Sequence, residues 1–192
     1  MGRWEPNARG RLEQAALDLY RERGFEQTTA AQIAERAGLT ERTFFRHYAD
    51  KREVLFGGSQ ALEQVFVDTL AGTPEAAAPI DAMAATLEAV AAFFLDRHEF
   101  ARRRQAVITA NAELRERELV KLASLSAALA ATLRRRGVEE PAASLAAEAG
   151  IAVFKVGFER WVGDDGGRSL ADHLREALGE LKRVTAGVTA EA

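Results

Sequence analysis

Side chains that donate hydrogen bonds lie close together in residues 40–47. Arg42 and Arg46 are four residues apart, so on a helix they lie on the same face. An arginine at such a position can form two parallel hydrogen bonds with a guanine edge in the major groove of DNA. The spacing therefore predicts a short helix that binds DNA through its exposed face. Its other donors are Thr40, Thr43 and His47.

The residues around this cluster predict a helix-turn-helix. Thr29 and Gln32 have the spacing of a capping box, which marks the N-terminus of a helix. Ala34 is small enough for two helices to cross closely, and Gly38 can adopt the left-handed backbone of a tight turn. Such a unit places its second helix in the major groove. The alternative is that residues 24–56 form only a three-helix packing unit.

The order GF…TT…IA…AG(L)T…TFF.HY..K..(V)L, from Gly24 to Leu55, resembles the TetR family of bacterial transcriptional regulators. The resemblance implies an all-α fold with an N-terminal, three-helix helix-turn-helix domain that binds DNA. It also implies a C-terminal helical domain that binds a ligand and forms a dimer. In relatives, the residues that match Thr29 and Lys51 bind backbone phosphates. The resemblance assigns DNA contacts to Thr29, Thr40, Glu41, Arg42, Thr43, Phe45, Arg46, His47 and Lys51.

One residue of the second helix departs from the family pattern. The family usually has a tyrosine where this chain has Phe45. Phenylalanine lacks the hydroxyl group that would bind a phosphate. It can still contact a thymine methyl group or the DNA backbone through its apolar ring.

The distribution of charge is compatible with DNA binding although the whole chain has a net charge of −3. Residues 1–56 carry 10 basic and 9 acidic side chains, whereas residues 57–192 carry 16 and 20. Phosphate contacts are short-range at cellular salt concentration, so a local basic surface is sufficient. No cysteine is present, which excludes disulfides and cysteine-ligated metals. No leader sequence or long apolar run is evident, so we expect a cytoplasmic protein that does not enter membranes.

Apolar residues recur at helical spacing along most of the chain and predict about nine helices. The first helix is expected to end at Gly24. A fourth is expected to begin at Asp50 and to continue through Leu70 without interruption. A domain boundary is predicted near Phe56, which gives a DNA-binding domain at 1–56 and a helical domain at 57–192.

The other candidate sites lack a complete set of chemical groups. His98 and Glu99 lack the second histidine of a metalloprotease helix. Asp164 and Asp165 lack the acidic spacing of a calcium loop, and His173 is expected at the surface or at the edge of a dimer interface. There is no phosphate-binding loop, nucleophile elbow or dinucleotide-binding glycine motif. The sequence thus predicts no enzyme activity, no cofactor and no metal site.

Two basic triplets, 102–104 and 134–136, have alternative interpretations. Both fit a solvated helix surface. The second lies at a helix end, where cations complement the helix dipole. The first could instead bind an anion or contact the DNA-binding domain.

Aromatic residues in the second half of the chain can form either a plain helical core or the wall of a ligand pocket. As a pocket, they favour an apolar or aromatic small molecule. Helices at 141–162 and 169–188 carry apolar stripes, with Leu174 and Leu181 on the second, and are expected to pair with their mates in a homodimer. The predicted pocket residues are Phe94, Val107, Phe154, Phe158 and Trp161.

These patterns together predict a DNA-binding transcriptional regulator. It would be a repressor that a small apolar or aromatic ligand releases from a palindromic operator. A helical small-molecule-binding protein that does not bind DNA, a regulator without a ligand and an α-helical enzyme remain alternatives.

Overall fold

The computed structural model describes residues 7–186, and nine α-helices form within that range. No strand occurs among these residues, so the all-α prediction and the expected number of helices are confirmed. Residues 187 and 188, at the end of the predicted ninth helix, lie outside the described residues. The helices are α1 (Ala8–Arg23), α2 (Ala30–Arg36), α3 (Glu41–His47), α4 (Ser59–Gly72), α5 (Pro79–Phe93), α6 (His98–Ala110), α7 (Ala112–Arg135), α8 (Ala142–Val162) and α9 (Leu170–Thr185).

The chain forms two compact units. The first combines Met1–Gln60 with Arg103–Glu118, and the second combines Ala61–Arg102 with Leu119–Ala192. Helices α6 and α7 therefore contribute residues to both units. The predicted DNA-binding helices all belong to the first unit, and α5, α8 and α9 belong to the second.

Helices α1, α2 and α3 of the first unit bury one apolar side each. Leu12, Ile33 and Phe44, one from each helix, are fully buried. Gly24 caps the C-terminus of α1, as predicted: its φ is +84°, and its backbone N–H donates a hydrogen bond to the carbonyl of Tyr20. These three helices therefore surround a common apolar centre that holds α3 in place.

The turn between α2 and α3 needs a residue without a Cβ atom. Gly38 has a φ of +67°, in the left-handed region. A Cβ atom there would also lie 2.7 Å from Nη2 of Arg11, whose guanidinium group donates a hydrogen bond to the carbonyl of Ala37. Gly38 thus provides both the turn and the space for a link from α1 to the end of α2.

The predicted continuous fourth helix is wrong. Asp50 does cap a helical turn, because its Oδ1 atom accepts hydrogen bonds from the amides of Arg52 and Glu53. That turn is a 3-10 helix, Glu53–Phe56, and α4 begins only at Ser59. A Cβ atom on Gly57 would lie 2.6 Å from Oε1 of Glu13 and 2.8 Å from the Tyr48 hydroxyl. The backbone passes too close to α1 and Tyr48 at this point for a side chain.

Helix α8 lies at the centre of the second unit and packs closely against α5 and α9. Gly150 and Gly157, two turns apart, make this possible. A Cβ atom on Gly150 would meet the Met83 side chain at 2.2 Å, and one on Gly157 would lie 3.2 Å from Cα of Leu174. The buried core around α8 includes Phe66, Leu70, Met83, Leu87, Val90, Leu129, Leu133, Ile151, Phe154, Trp161, Leu170 and Leu174.

The expectation that His173 lies at the surface is wrong. It is 5% exposed, and its Nε2 atom lies 2.9 Å from Oδ2 of Asp164. A hydrogen bond from the amide of Gly166, and then that from His173, hold the pKa of Asp164 below its usual value. The Asp164 loop therefore fastens the start of α9 to the end of α8.

Gly38→Ala should lower the free energy of unfolding by about 1–2 kcal/mol, because it forces a residue with a Cβ atom into the left-handed region. Urea denaturation of the whole chain measures the change. Gly58→Ala is the matched control, because its φ is not positive and no atom lies within 4 Å of the added carbon. Equal stability of the two variants would contradict this role for Gly38.

Ser169→Ala should cost about 1 kcal/mol of stability at neutral pH, because Ser169 is the N-cap of α9 in a capping box with Asp172. Ser124→Ala, at an exposed serine inside α7, is the control and should not destabilise, because alanine has the higher helix propensity. Thermal and urea denaturation provide the comparison.

The difference in the free energy of unfolding between Ser169→Ala and the wild type should also depend on pH. The Ser169 hydroxyl, followed by Arg175, lowers the pKa of Asp172 to about 2. A lowered carboxyl pKa stabilises the fold above the unfolded value of about 4, and this stabilisation is lost as the pH falls towards the folded value. The difference should therefore shrink between about pH 4 and pH 2. A constant difference across that range would be inconsistent with this coupling.

Candidate nucleic-acid interface

Helix α3 begins with a cap that engages both of its threonines. The Thr40 hydroxyl accepts a hydrogen bond from the amide of Thr43 at 3.2 Å. The two hydroxyl groups also lie 3.0 Å apart. The predicted donors Thr40 and Thr43 therefore stabilise the start of the helix, and their capacity for DNA contacts is reduced.

The two sides of α3 differ sharply in burial and charge. Phe44 is fully buried, whereas Arg42, two residues earlier, points about 160° away from it around the helix axis. Glu41, Arg42, Phe45 and Arg46 are all exposed. We call these four residues the outward face of α3.

Tyr48, which follows α3, fixes the end of that helix to α1. It is buried, and its hydroxyl group donates a hydrogen bond to Oε1 of Glu13 at 2.9 Å. Burial, together with the negative charge of Glu13, raises the pKa of Tyr48. The outward face is thus held at both ends, by the Thr40 cap and by Tyr48.

Thr29 lies at the N-terminus of α2, in the predicted capping box. Its hydroxyl accepts from the amide of Gln32 at 3.2 Å, and the Gln32 side chain accepts from the Thr29 amide at 3.0 Å. The hydroxyl proton of Thr29 is still available to a phosphate oxygen. The capping box is confirmed, and the phosphate contact stays a prediction.

Lys51 is engaged in contacts that the sequence did not indicate. Its Nζ atom donates to the carbonyls of Phe25 at 2.8 Å and Glu26 at 3.3 Å, and lies 4.3 Å from the centre of the Phe25 ring. An ammonium group has three donors, so one remains for a phosphate. Lys51 therefore also braces the loop that precedes Thr29.

His47 lies beside two arginines and carries a buried nitrogen. Its Nε2 atom has no hydrogen-bond partner. Burial, and then the charges of Arg46 and Arg9, lower the pKa of His47, which keeps the imidazole mainly neutral at pH 7. Arg9, on α1, is exposed and was not among the predicted DNA contacts, because its place near the end of α3 depends on the packing of α1.

The first basic triplet is not a freely solvated surface. Arg103 pairs with Asp18, and Nε of Arg104 donates to the carbonyl of Leu55 at 2.6 Å. Nη1 of Arg104 also donates to Glu118 at 3.2 Å. These contacts hold Arg103–Glu118 against α1 and the 3-10 helix of the same unit. Arg102, in the second unit, pairs with Asp165 at 2.6 Å.

Four of the five predicted pocket residues lie together in the second unit. The ring centre of Phe94 lies 6.2 Å from that of Phe154, 5.3 Å from that of Phe158 and 5.8 Å from that of Trp161. We call these four residues the aromatic cluster. Val107 belongs to Arg103–Glu118 of the first unit. The structure thus places the other three rings around that of Phe94, and a ligand pocket beside them stays a prediction.

His98 also belongs to this region and is not simply a solvated residue at a helix end. Its Nε2 atom lies 2.8 Å from the carbonyl oxygen of Trp161, and the two rings are 4.8 Å apart at their centres. Because a carbonyl oxygen only accepts, Nε2 must carry the proton. The sequence could not show this contact, since the two residues are far apart in the chain.

The described residues, 7–186, include no group of three or more histidine, aspartate or glutamate side chains arranged to hold a metal ion. Among them, no helix combines the length and the apolar character that a membrane span requires.

Comparison with known proteins shows likeness in both parts of the chain. TcmR of Streptomyces glaucescens, a helix-turn-helix transcriptional regulator, is 39% identical over 82 residues, which are 43% of this chain and 36% of TcmR. The match therefore spans about a third of that curated relative. FadR of Thermus thermophilus, a TetR-family repressor solved with lauroyl-CoA, is 26% identical, with a TM-score of 0.56. That match covers 96% of this chain and 98% of FadR.

A more distant structure shows the same fold. The triclosan complex of SmeT, a repressor from Stenotrophomonas maltophilia, has a TM-score of 0.63 at 20% identity and covers 92% of this chain and 90% of SmeT. The family model of the TetR bacterial regulatory proteins matches residues 13–56. The model of the MftR C-terminal domain matches residues 77–186, more than half of the chain. The chain therefore belongs to the TetR family of bacterial regulatory proteins.

Proposed function

We propose that this protein is a DNA-binding transcriptional repressor that acts as a homodimer on a palindromic operator. The observation that carries the proposal is the outward face of α3, with Arg42 and Arg46 exposed opposite the fully buried Phe44. A packing helix has no need of two exposed arginines on the side away from its core. A small-molecule carrier that does not bind DNA would not need them either.

The proposed contacts divide into two groups. Arg42 and Arg46 bind base edges or groove walls, while Lys51 and Thr29 bind phosphates. Phosphate contacts determine affinity and its dependence on salt, whereas base contacts determine sequence preference. Arg9 adds an exposed cation near His47, at the end of α3, that could also bind a phosphate.

Arg42→Ala and Lys51→Ala should weaken DNA binding in different ways. Loss of Arg42 should cost about 1–3 kcal/mol on an operator selected from random duplexes and should relax one base position. Loss of Lys51 should weaken binding to all sequences and flatten the salt slope by about one unit. Fluorescence anisotropy at several salt concentrations measures both effects.

Lys155→Ala, at an exposed lysine of α8 outside the proposed interface, is the control and should change neither quantity. Wild-type affinity and salt dependence in both Arg42→Ala and Lys51→Ala would exclude α3 as the DNA-binding helix.

The homodimer is proposed from a second apolar stripe on α8. Residues 145, 149, 152 and 156 repeat at helical spacing on the side opposite the core. Leu145 is 65% exposed and Val156 is 43% exposed. On α9, by contrast, the predicted interface residue Leu174 is buried in its own unit, so a charge there would disrupt the core. Two copies joined through α8 would place two copies of α3 on one DNA duplex.

Val156→Glu should convert the dimer into a folded monomer, because the acidic group would be buried at the interface without a partner. Lys155→Glu places the same group one position away, outside the stripe, and should leave the dimer intact. Analytical ultracentrifugation at micromolar concentration, with circular dichroism to check folding, distinguishes the two variants. A wild-type chain that is itself monomeric would overturn the proposed assembly.

An apolar effector is proposed to bind beside the aromatic cluster. The rings of Phe94 and Phe158 are only partly buried, so apolar surface remains for a ligand. The likeness to FadR, solved with lauroyl-CoA, supports a ligand with a long apolar part. α6 and α7 contribute residues to both units, and Arg103–Glu118 is bonded to α1. A ligand that shifts the population of α6 conformations would therefore also change the positions of the DNA-binding helices.

Lauroyl-CoA should quench the fluorescence of Trp161 and release the operator, and Phe158→Ala should reduce the affinity for this probe at unchanged operator affinity. Fluorescence titration and anisotropy measure the two steps. Lys155→Ala, at an exposed position of α8 outside both the aromatic cluster and the apolar stripe, provides the control. If neither acyl-CoA esters nor free apolar aromatic compounds released the operator, control of the repressor by an apolar ligand would be excluded.

A further inference from the structure

Beside the aromatic cluster, His98 carries a hydrogen-bond acceptor that the fold does not use. Its Nε2–H group is bound to the carbonyl oxygen of Trp161 at 2.8 Å, which leaves Nδ1 of the neutral imidazole as an acceptor. Within residues 7–186, Nδ1 has no hydrogen-bond partner, and it is not one of the fully buried polar atoms that lack one. A small molecule can therefore reach this nitrogen.

A tight turn between α5 and α6 brings the imidazole to the aromatic cluster. The amide of Arg97 donates a hydrogen bond to the carbonyl of Phe94 at 3.1 Å, and Asp96, inside this turn, has a φ of +58°. Phe94 and His98 lie at the two ends of the turn. Their ring centres are 5.8 Å and 4.8 Å from that of Trp161. The unused acceptor thus lies beside the rings that we propose to bind the apolar effector.

The indole ring of Trp161 adds a donor to this acceptor. Trp161 is 5% exposed, and its Nε1–H group likewise has no hydrogen-bond partner within the described range. An indole N–H group usually has a partner when it is buried. A hydroxyl group both donates and accepts, so it can bond to either nitrogen. A carboxylate group only accepts and cannot bond to Nδ1 of a neutral imidazole.

The cations nearest to this site in the chain are directed elsewhere. Arg97 lies over the ring of Phe93, with its guanidinium carbon 4.5 Å from the ring centre. Arg102 pairs with Asp165 at 2.6 Å, and Arg160 lies on the exposed side of α8. An anionic head group would therefore lose its water without gaining a cation as a partner, which is costly. A neutral group with a hydrogen to donate fits better.

We infer that the effector carries a hydroxyl group that donates a hydrogen bond to Nδ1 of His98, as a phenol or an alcohol with an apolar body would. The inference rests on the proposed function, because it takes the aromatic cluster as the site of the apolar part. A few polar groups commonly orient the ligand in an apolar pocket. His98 is then a specificity residue, and its loss removes the preference for a hydroxyl group but not the apolar contact.

The pair para-octylphenol and para-octylanisole tests the inference, since the ether has a methyl group in place of the hydroxyl hydrogen. Each compound is titrated calorimetrically into the whole chain at about pH 8, where imidazole is neutral. The wild type should bind the phenol about fivefold more tightly, the usual effect of one hydrogen bond. His98→Phe should bind both compounds equally, with its affinity for the ether unchanged. Phe158→Ala is the matched control, which should weaken both and keep the preference.

Nitrogen-15 NMR of the wild-type imidazoles provides a second measurement that does not depend on the folding of a variant. The phenol should shift the Nδ1 resonance of His98, and the ether should not. Equal preference in the wild type and His98→Phe, or an unshifted Nδ1 resonance with the phenol bound, would overturn the inference. If both compounds bind and release the operator equally well, the inference alone fails. If neither compound binds, the proposed apolar effector fails with it.

Discussion

The burial of Phe44 is the interaction on which the DNA-binding unit depends. α3 has only seven residues, too few to be stable as an isolated helix in water. Phe44 fixes it against α1 and α2, and replacing such a fully buried phenylalanine by alanine costs about 3–5 kcal/mol. Because the helix is rigid about this contact, the direction of Phe44 determines which residues face outwards. Arg42, Phe45 and Arg46 are exposed as a consequence of where Phe44 is buried.

Polar groups around α3 are divided between those that bond within the unit and those that we propose to contact DNA. Thr40 and Thr43 bond to each other, Lys51 bonds to the carbonyls of Phe25 and Glu26, and Tyr48 bonds to Glu13. These groups make α3 rigid before DNA arrives, which reduces the entropy cost of binding. The side chains on the outward face have no such structural role. Substitutions in the first group are thus expected to affect stability and affinity together.

Sequence alone predicted the parts of the structure that depend on local signals. The capping box at Thr29, the left-handed turn at Gly38 and the helix end at Gly24 each need only a few neighbouring residues. The features that were missed depend on how separate elements pack against one another. His173 is buried and pairs with Asp164, and the expected fourth helix is interrupted near Gly57, where the backbone passes close to Glu13 and Tyr48. Hydrophobic periodicity carries no information on such contacts.

In the candidate DNA-binding site, too, some features could be predicted from local sequence and others depend on packing. The exposure of Arg42 and Arg46 followed from their spacing, because a helix with Phe44 inside must turn them outwards. The second role of Lys51 and the position of Arg9 required the packing of α1 against α3. In the second half of the chain, the hydrophobic periodicity predicted apolar residues on α8. It did not show which of them face the core of the unit and which face outwards. α8 carries both a core side and an outer stripe, and only the structure separates the two.

In the proposed dimer, the outward faces of both copies of α3 bind one duplex through its major groove. Methylation interference on a selected operator detects this binding, because dimethyl sulfate modifies guanine N7 in that groove. Interference is expected at guanines in two symmetric half-sites about one helical turn apart, about 34–36 Å between their centres. Arg42→Ala should abolish the interference at one guanine of each half-site. Interference confined to the minor groove, or at a single unsymmetric site, would exclude binding of two α3 helices in the major groove.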